Sequence, residues 1–299
     1  MEISDSYIEP NILISGGSGY IGSFLASKLE NKGHKVTTAS TRFINRPDHI
    51  TVDLTSENSA FNNLNKLNNI HTIIHCAAIA HGKDTPNGMK VGEFNSLILK
   101  NLYNVFKSRK IHWIFLSSIS VYGDYHSKKN ILINTKAKPF DSYGIGKLHD
   151  ENYLIKNCMH LDILRLMPVY DSQNLDDIKK RVFFPGTNIK VLVKPSPKYS
   201  LCNIEEVLHS VKISMQFSSG QRCSNVGDTK PLDQQTIATW FSGKVLYIPQ
   251  FLFSFIYALL PKKITFIRNI AFMIKKYALN NTYQIQTTEI NQDITNTKS

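Results

Sequence analysis

A chain of 299 residues with 42% hydrophobic content is long enough to bury a large core, and its apolar residues are spread widely enough to exclude global disorder. The formal charge of +12, from 35 Lys and Arg against 23 Asp and Glu, points to an anionic partner. The positives are scattered, as at Lys28, Lys107, Arg109, Lys179 and Arg181, and no block of like charge marks a nucleic-acid tail, so a phosphorylated small molecule or acidic lipid is expected rather than nucleic acid.

Cys76, Cys158, Cys202 and Cys223 form no C-x-x-C pair, and no His or Cys group has metal-ligand spacing. Reduced thiols in a cytoplasmic protein without a metal are the expectation. Met1–Pro10 carries Glu2, Asp5 and Glu9 and lacks the basic-then-apolar pattern of a secretory signal.

Asn11–Ser15 is a short apolar run that ends in glycines, the pattern of a buried parallel strand. Helical spacing follows over Tyr20–Asn31, with Ile21, Phe24, Leu25 and Leu29 on one face and Gly33 as a stop. Lys35–Ala39, Ile50–Leu54 and Thr72–Ala77 read as the second to fourth strands and Asn95–Arg109 as a long helix. Trp113–Ser117 is the fifth strand, Asp141–Asn157 a helix and Asp162–Leu166 the sixth strand. This rhythm predicts an α/β fold of Rossmann type: a doubly wound parallel sheet with a smaller C-terminal substrate-binding region.

The rhythm breaks near residue 170, where Pro185, Pro195 and Pro197 interrupt the chain. Residues 1–170 are therefore assigned to the dinucleotide-binding domain, with 200–220 returning to it as a strand and helix. Residues 171–199 and 221–279 form the substrate-binding region, and 280–299, rich in Asn, Thr and Gln, a frayed tail. Phe251–Leu260 and Ile264–Ile274 are apolar and flanked by lysines and arginines, yet too short to cross a bilayer, which takes ~20 residues. They read as a helical pair capping the substrate site or, alternatively, as a basic amphipathic surface over 251–276 on anionic lipid.

Ser15-Gly16-Gly17-Ser18-Gly19-Tyr20-Ile21-Gly22 joins the first strand to the first helix. Glycines here permit a tight turn and close approach of backbone to a pyrophosphate, which the N–H groups of Tyr20, Ile21 and Gly22 at the helix start can bind. A triphosphate P-loop would place Lys after the last glycine, and this chain has Ser23. A ribose-binding carboxylate is expected near the end of the second strand, but the chain reads Ser40-Thr41-Arg42. Ser40 and Arg42 suit a 2′-phosphate, so NADP(H) is expected, with NAD(H) as the alternative. Asp53 is either an acceptor for the adenine amino group or a turn aspartate.

Tyr143 and Lys147 stand four apart, on one face of a helix. A phenol with a pKa near ~10 is a poor base at neutral pH, and a nearby ammonium is expected to lower that value. Ser117–Gly123 follows the fifth strand, at the sheet end where open α/β folds bind ligands.

With these motifs together the chain resembles an extended short-chain dehydrogenase/reductase of the NAD(P)-dependent nucleotide-sugar epimerase/dehydratase family. The resemblance covers about residues 10–240 and rests on Gly16–Gly22, Val52-Asp53-Leu54, His75-Cys76-Ala77-Ala78, Asn95, Ser117–Gly123, Tyr143–Lys147, Arg165…Pro168-Val169-Tyr170 and Asn225–Asp228. It implies Ser118 as the catalytic hydroxyl, Tyr143 as the acid/base and Lys147 as its helper. It also implies Asp53, Leu54, Ala77 and Ala78 beside the cofactor, a nucleotide-sugar substrate and a homodimer. The run His75–His81 with Phe94-Asn95 is similar to that of surface-polysaccharide 4-keto-sugar reductases; His75 and His81 read as partly exposed loop residues without chemistry of their own.

Departures narrow the reaction. The family's dehydratases carry Asp-Glu directly after the catalytic hydroxyl, where this chain has Ile119 and Ser120, so dehydration is not expected. Pro168, Lys198-Tyr199 and Asp171 replace a substrate-contacting Asn, a pyrophosphate-binding Arg and a glycine. NADPH-dependent reduction of a 4-keto nucleotide sugar is the leading expectation and 4-epimerisation with retained NAD the alternative. A non-catalytic protein on this fold would be expected to have lost the Ser118–Tyr143–Lys147 set.

Overall fold

The computed structural model describes residues 11–80, 83–123, 130–217, 219–259 and 278–290. The alternation reads β1 (Asn11–Ser15), α1 (Tyr20–Glu30), β2 (Val36–Ser40), β3 (His49–Thr51), α2 (Glu57–Leu64), β4 (Ile70–His75) and α3 (Val91–Phe106). It continues with β5 (His112–Ser118), α4 (Ser142–Asn157), β6 (His160–Leu166), β7 (Val169–Tyr170), α5 (Asp176–Lys179), β8 (Ile189–Lys194), β9 (Lys198–Tyr199), β10 (Cys202–Asn203) and α6 (Ile204–Met215). The remaining elements are β11 (Gly220–Val226), β12 (Leu232–Asp233), α7 (Gln234–Ala238), β13 (Lys244–Pro249), α8 (Gln250–Leu259) and β14 (Gln286–Glu289).

Eight strands form one sheet in the order β14-β11-β6-β5-β4-β1-β2-β3. All neighbours are parallel except β14, which runs antiparallel to β11. The strand order reverses between β1 and β4, so the ligand crevice of this fold class opens at the ends of those two strands. Period-two alternation sends successive side chains to opposite faces. Leu13 and Ile73 join Leu99, Leu102 and Phe106 on the α3 face, while Ile12, Ile14 and Ile74 join Leu25, Leu29 and Val207 on the α1–α6 face. Both faces are covered, which is why these strands read as unbroken apolar runs.

Three boundaries differ from the sequence reading. The substrate-binding region expected from 221 starts later, because Gly220–Val226 is the seventh parallel strand of the central sheet. The strand expected near 201 is β10, which pairs with β7 outside that sheet, although α6 packs on the sheet as expected. The tail expected from 280 holds buried Tyr283 and edge strand β14. Helix α2 was unforeseen because only Ala60 and Leu64 of it are buried. A separate small core of Ile178, Val182, Leu192, Tyr199, Leu201, Ile237 and Ala238 holds the elements after β7. Of the two apolar segments near the C-terminus, the first is α8; Ile264–Ile274 lies outside the described residues. Among the described residues no helix is long and apolar enough to cross a membrane.

Candidate active site

The loop after β1 is a cradle that only glycine can build. Gly16 adopts φ +76°, and a Cβ there would stand 2.7 Å from the Ala77 nitrogen, so the β1 and β4 loops touch backbone to backbone. A Cβ on Gly22 would collide with the Gly16 carbonyl oxygen, so this glycine lets α1 start directly against the turn. Gly19 caps α1 without a side-chain hydrogen bond and no acid occupies the first turn, which leaves the helix start suited to an anion. The tight backbone turn and uncapped helix start fit a dinucleotide pyrophosphate, with the Asp171 carboxylate beside Tyr20 at the rim.

The floor of the crevice is polar and buried. Ser15 Oγ lies 2.7 Å from His75 Nδ1, tying the ends of β1 and β4 at the switch point. His75 is buried at 2% exposure and stacks on Phe115. Burial, then the Lys147 charge, hold its pKa down at about 3, so the ring is neutral. The expectation of a partly exposed loop histidine is thus corrected for His75, because its residue closes a strand rather than opening a loop. His81 lies outside the described residues. Ala77 and Ala78 follow, and Asn95 of α3 secures their loop, accepting from the Ile79 nitrogen at 2.8 Å and donating to its carbonyl at 3.0 Å.

At the end of β2, Ser40 Oγ donates to the Arg42 carbonyl at 2.9 Å, and His49 Nε2 lies 3.0 Å from the same oxygen. This fixes the turn while leaving Arg42 exposed. Asp53 Oδ1 accepts from both the nitrogen and the hydroxyl of Thr55, at 2.9 and 2.7 Å, so one carboxylate oxygen serves a turn. Leu54 beside it is buried, and its carbonyl accepts from Asn101 of α3.

Ser118 ends β5, and its Oγ accepts from the Ser120 nitrogen at 3.1 Å in a short 3-10 turn. Tyr143, at the first turn of α4, faces Ser118, whose hydroxyl draws the phenol pKa down against burial. Lys147 is buried one turn on; its Nζ donates to the Leu116 carbonyl at 2.7 Å and lies 5.9 Å from the centre of the Tyr143 ring. The three residues therefore meet at the ends of β5 and α4, beside the glycine cradle. The expected lowering of the phenol pKa is not present. Burial foremost, with Asp141 next, pushes Tyr143 up to about 12 against the Ser118 hydrogen bond, while the Lys147 ammonium is directed at a carbonyl instead. Burial likewise lowers the Lys147 pKa, opposed first by Asp150.

Several supports escaped the sequence reading. Buried Glu151 accepts from Ser117 Oγ at 2.6 Å and pairs with Arg165 at 2.7 Å; Arg165 in turn donates to the Tyr122 hydroxyl at 2.9 Å. Ser96 of α3 donates to Asp150 at 2.5 Å. Asp150 and Glu151 stand three and four residues after Lys147, a helical spacing that could have marked them as its neighbours. Of the departures, Asp171 needs no glycine-like backbone and caps its own turn, accepting from Gln173 and Asn174 nitrogens at 2.7 and 2.8 Å. A cavity of about 210 Å³ lined by Tyr170, Asp171, Ser172, Leu175 and Trp240 lies past β7.

One spatial cluster has metal-binding residue types that sequence spacing did not show: His112, His160 and Asp162. The two rings stack at 3.5 Å with 2° between planes, and Arg222 already pairs with Asp162. A metal lies in the plane of each imidazole it binds, so parallel stacked rings cannot share one. The cluster is an ion-paired strand end, opposite the crevice.

The sequence model of the NAD dependent epimerase/dehydratase family matches residues 12–170. The chain is 25% identical over 181 residues to UDP-glucose 4-epimerase of Vibrio cholerae, covering 56% of this chain and 54% of that one. It is 30% identical over 169 residues to UDP-glucose 4-epimerase of Dictyostelium discoideum, covering 50% and 48%. It thus spans about half the length of these curated relatives. Among solved structures, the ADP-L-glycero-D-manno-heptose-6-epimerase of Helicobacter pylori superposes with a TM-score of 0.65 at 21% identity, over 83% of this chain and 88% of that one, which shows the shared fold.

Proposed function

The chain belongs to the NAD dependent epimerase/dehydratase family, and from that membership we propose that it is an oxidoreductase acting at C4 of a nucleotide-linked sugar. The observation that carries the reading is the meeting of Ser118, Tyr143 and Lys147 beside the Gly16–Gly22 cradle. The leading form is NADPH-dependent reduction of a 4-keto nucleotide sugar by a cytoplasmic homodimer that serves surface-polysaccharide synthesis.

The nicotinamide cofactor, when bound, supplies the hydride. Gly16, Gly19, Tyr20, Ile21 and Gly22 would hold its pyrophosphate, Ser40 and Arg42 the adenosine ribose end, Asp53 and Leu54 the adenine, and Ala77 and Ala78 the adjoining crevice wall. Tyr143 gives its phenolic proton to the sugar carbonyl oxygen as the carbon becomes a carbinol. A phenol held near 12 is protonated at neutral pH, which suits a proton donor. Ser118 hydrogen-bonds the same oxygen, and Lys147, held by the Leu116 carbonyl, stands beside the Tyr143 ring at the crevice wall. Asp150 foremost, then Cys76 and Glu151, offset part of the cost of burying that amine. The absence of a carboxylate at the end of β2 supports NADP(H).

Epimerisation is the second reading, favoured by the likeness to two UDP-glucose 4-epimerases. The test is the absorbance spectrum and the nucleotide extract of the purified protein. Protein free of nucleotide that binds NADPH and oxidises it with a 4-keto nucleotide sugar is the expected result. Stoichiometric retained NAD, with no net consumption of NADPH, would replace reduction by epimerisation.

A further inference from the structure

None of the residues named in the site above lies on β13 or α8, and the composition of this surface is unusual. Among the described strands β13 pairs only with β8. Val245, Leu246 and Tyr247 are 45, 51 and 52% exposed. Successive strand residues point to opposite faces, so both faces of this edge are open. Helix α8 continues directly from Pro249, and Phe251, Leu252 and Phe255 are 68, 40 and 62% exposed. Positions 251, 252 and 255 share one side of a helix. Scattered single apolar residues are normal on a protein surface, whereas a continuous set over 245–255 marks an interaction face.

Among the described residues, two cations flank this face. Lys244 opens β13, and Lys194 Nζ stands 4.1 Å from the centre of the Tyr247 ring. Between Asp233 and Glu289 the sequence holds Lys244, Lys262, Lys263, Arg268, Lys275 and Lys276 and neither Asp nor Glu. Exposed aromatics flanked by the cations Lys194 and Lys244, in a stretch of sequence without Asp or Glu from 234 to 288, match the headgroup zone of an anionic bilayer, where aromatic rings bury and lysines meet phosphates. A second copy of the chain fits poorly. A twofold interface would set the patch against itself and bring the lysines of the two copies together.

We infer that the β13–α8 face docks this protein onto the surface of an anionic lipid bilayer, lying on the membrane without crossing it. The apolar side chains supply depth and the cations supply selectivity for negative lipid.

Flotation of the full chain with phosphatidylcholine vesicles, with and without phosphatidylglycerol, tests this. The expected result is co-flotation at least five-fold greater with phosphatidylglycerol, reversed in 1 M salt, where the screening length falls to about 3 Å. Phe251→Asp with Phe255→Asp should reduce vesicle binding about ten-fold, and Lys194→Glu with Lys244→Glu should weaken it while leaving the apolar side chains in place. Unchanged NADPH binding in both variants shows that they are folded. No flotation of the wild type, equal flotation on neutral vesicles, or binding unchanged in the folded variants would overturn the inference. A wild-type dimer that the phenylalanine variant splits into monomers would assign the face to a second copy instead.

Discussion

Gly144 lies against the carbonyl of Ser120 so closely that a Cβ there would stand 2.6 Å from the oxygen. This contact seats α4 on the turn that carries Ser118, and it explains why a glycine directly follows Tyr143. The second glycine of Tyr143-Gly144-Ile145-Gly146-Lys147 does the same against α3, where a Cβ would collide with Gly92 Cα. Gly144→Ala must therefore move α4 off the turn and separate Tyr143 from Ser118. Overpacking of this kind costs about 1–3 kcal/mol. The expected outcome is a lowered unfolding midpoint and turnover reduced more than cofactor affinity. Gly146→Ala, farther from Ser118, should lower the midpoint with a smaller loss of turnover. Thermal unfolding and steady-state rates on both variants check this, and equal rates in the two would refute the distinction.

Tyr143→Phe removes the hydroxyl that meets Ser118 while keeping the ring near Lys147. Loss of a general acid typically costs about 10²–10⁴ in rate. Turnover should fall by that order, and NADPH affinity, measured by fluorescence quenching, should stay within about five-fold, since one lost hydrogen bond is worth only ~1 kcal/mol. Normal turnover would remove Tyr143 from the proton-donor role.

The parallel core and the meeting of these side chains were legible because their signals are local. β1, β4 and β5 are buried on both faces and read as apolar runs, and Tyr143 and Lys147 share a helix face at fixed spacing. β11 was not legible because its polar residues are satisfied far away in sequence. Arg222 pairs with Asp162, and Asn225 accepts from Tyr122 at 2.8 Å, so the strand carries no apolar run to read. β14 is an exposed edge strand of Gln, Thr and Glu, which resembles loop composition. The Tyr143 phenol was misjudged for a related reason. Spacing places Lys147 one turn away, but only the fold shows that its ammonium donates to Leu116.

Cofactor choice rests on the turn after β2. Ser40 and His49 hold the Arg42 carbonyl, which leaves the guanidinium exposed at the strand end. Ser40→Asp would place a carboxylate where a ribose 2′-hydroxyl donates and a 2′-phosphate is repelled. The ratio of kcat/KM for NADPH over NADH should fall at least ten-fold. Arg42→Ala should lower the same ratio by weakening NADPH alone. An unchanged ratio in both variants would mean that this turn does not read the 2′-position.

His75 links the crevice floor to acid stability, and its sign follows from a lowered pKa. The folded value is about 3 against 6.5 for the free side chain. The unfolded chain therefore takes up a proton first as pH falls, while the buried ring beside Lys147 refuses it. The stability that His75 contributes is present above pH 6.5 and is lost on descending toward pH 3. A single such group costs about 2 kcal/mol between pH 7 and pH 5. In His75→Asn, which keeps a polar group facing Ser15, that part of the pH dependence disappears even though the variant is less stable at pH 7. Urea unfolding of both proteins at pH 7 and pH 5 measures the difference. Parallel losses in the two would show that the ring at 75 accepts a proton in the fold, and that the floor of the crevice is open to water.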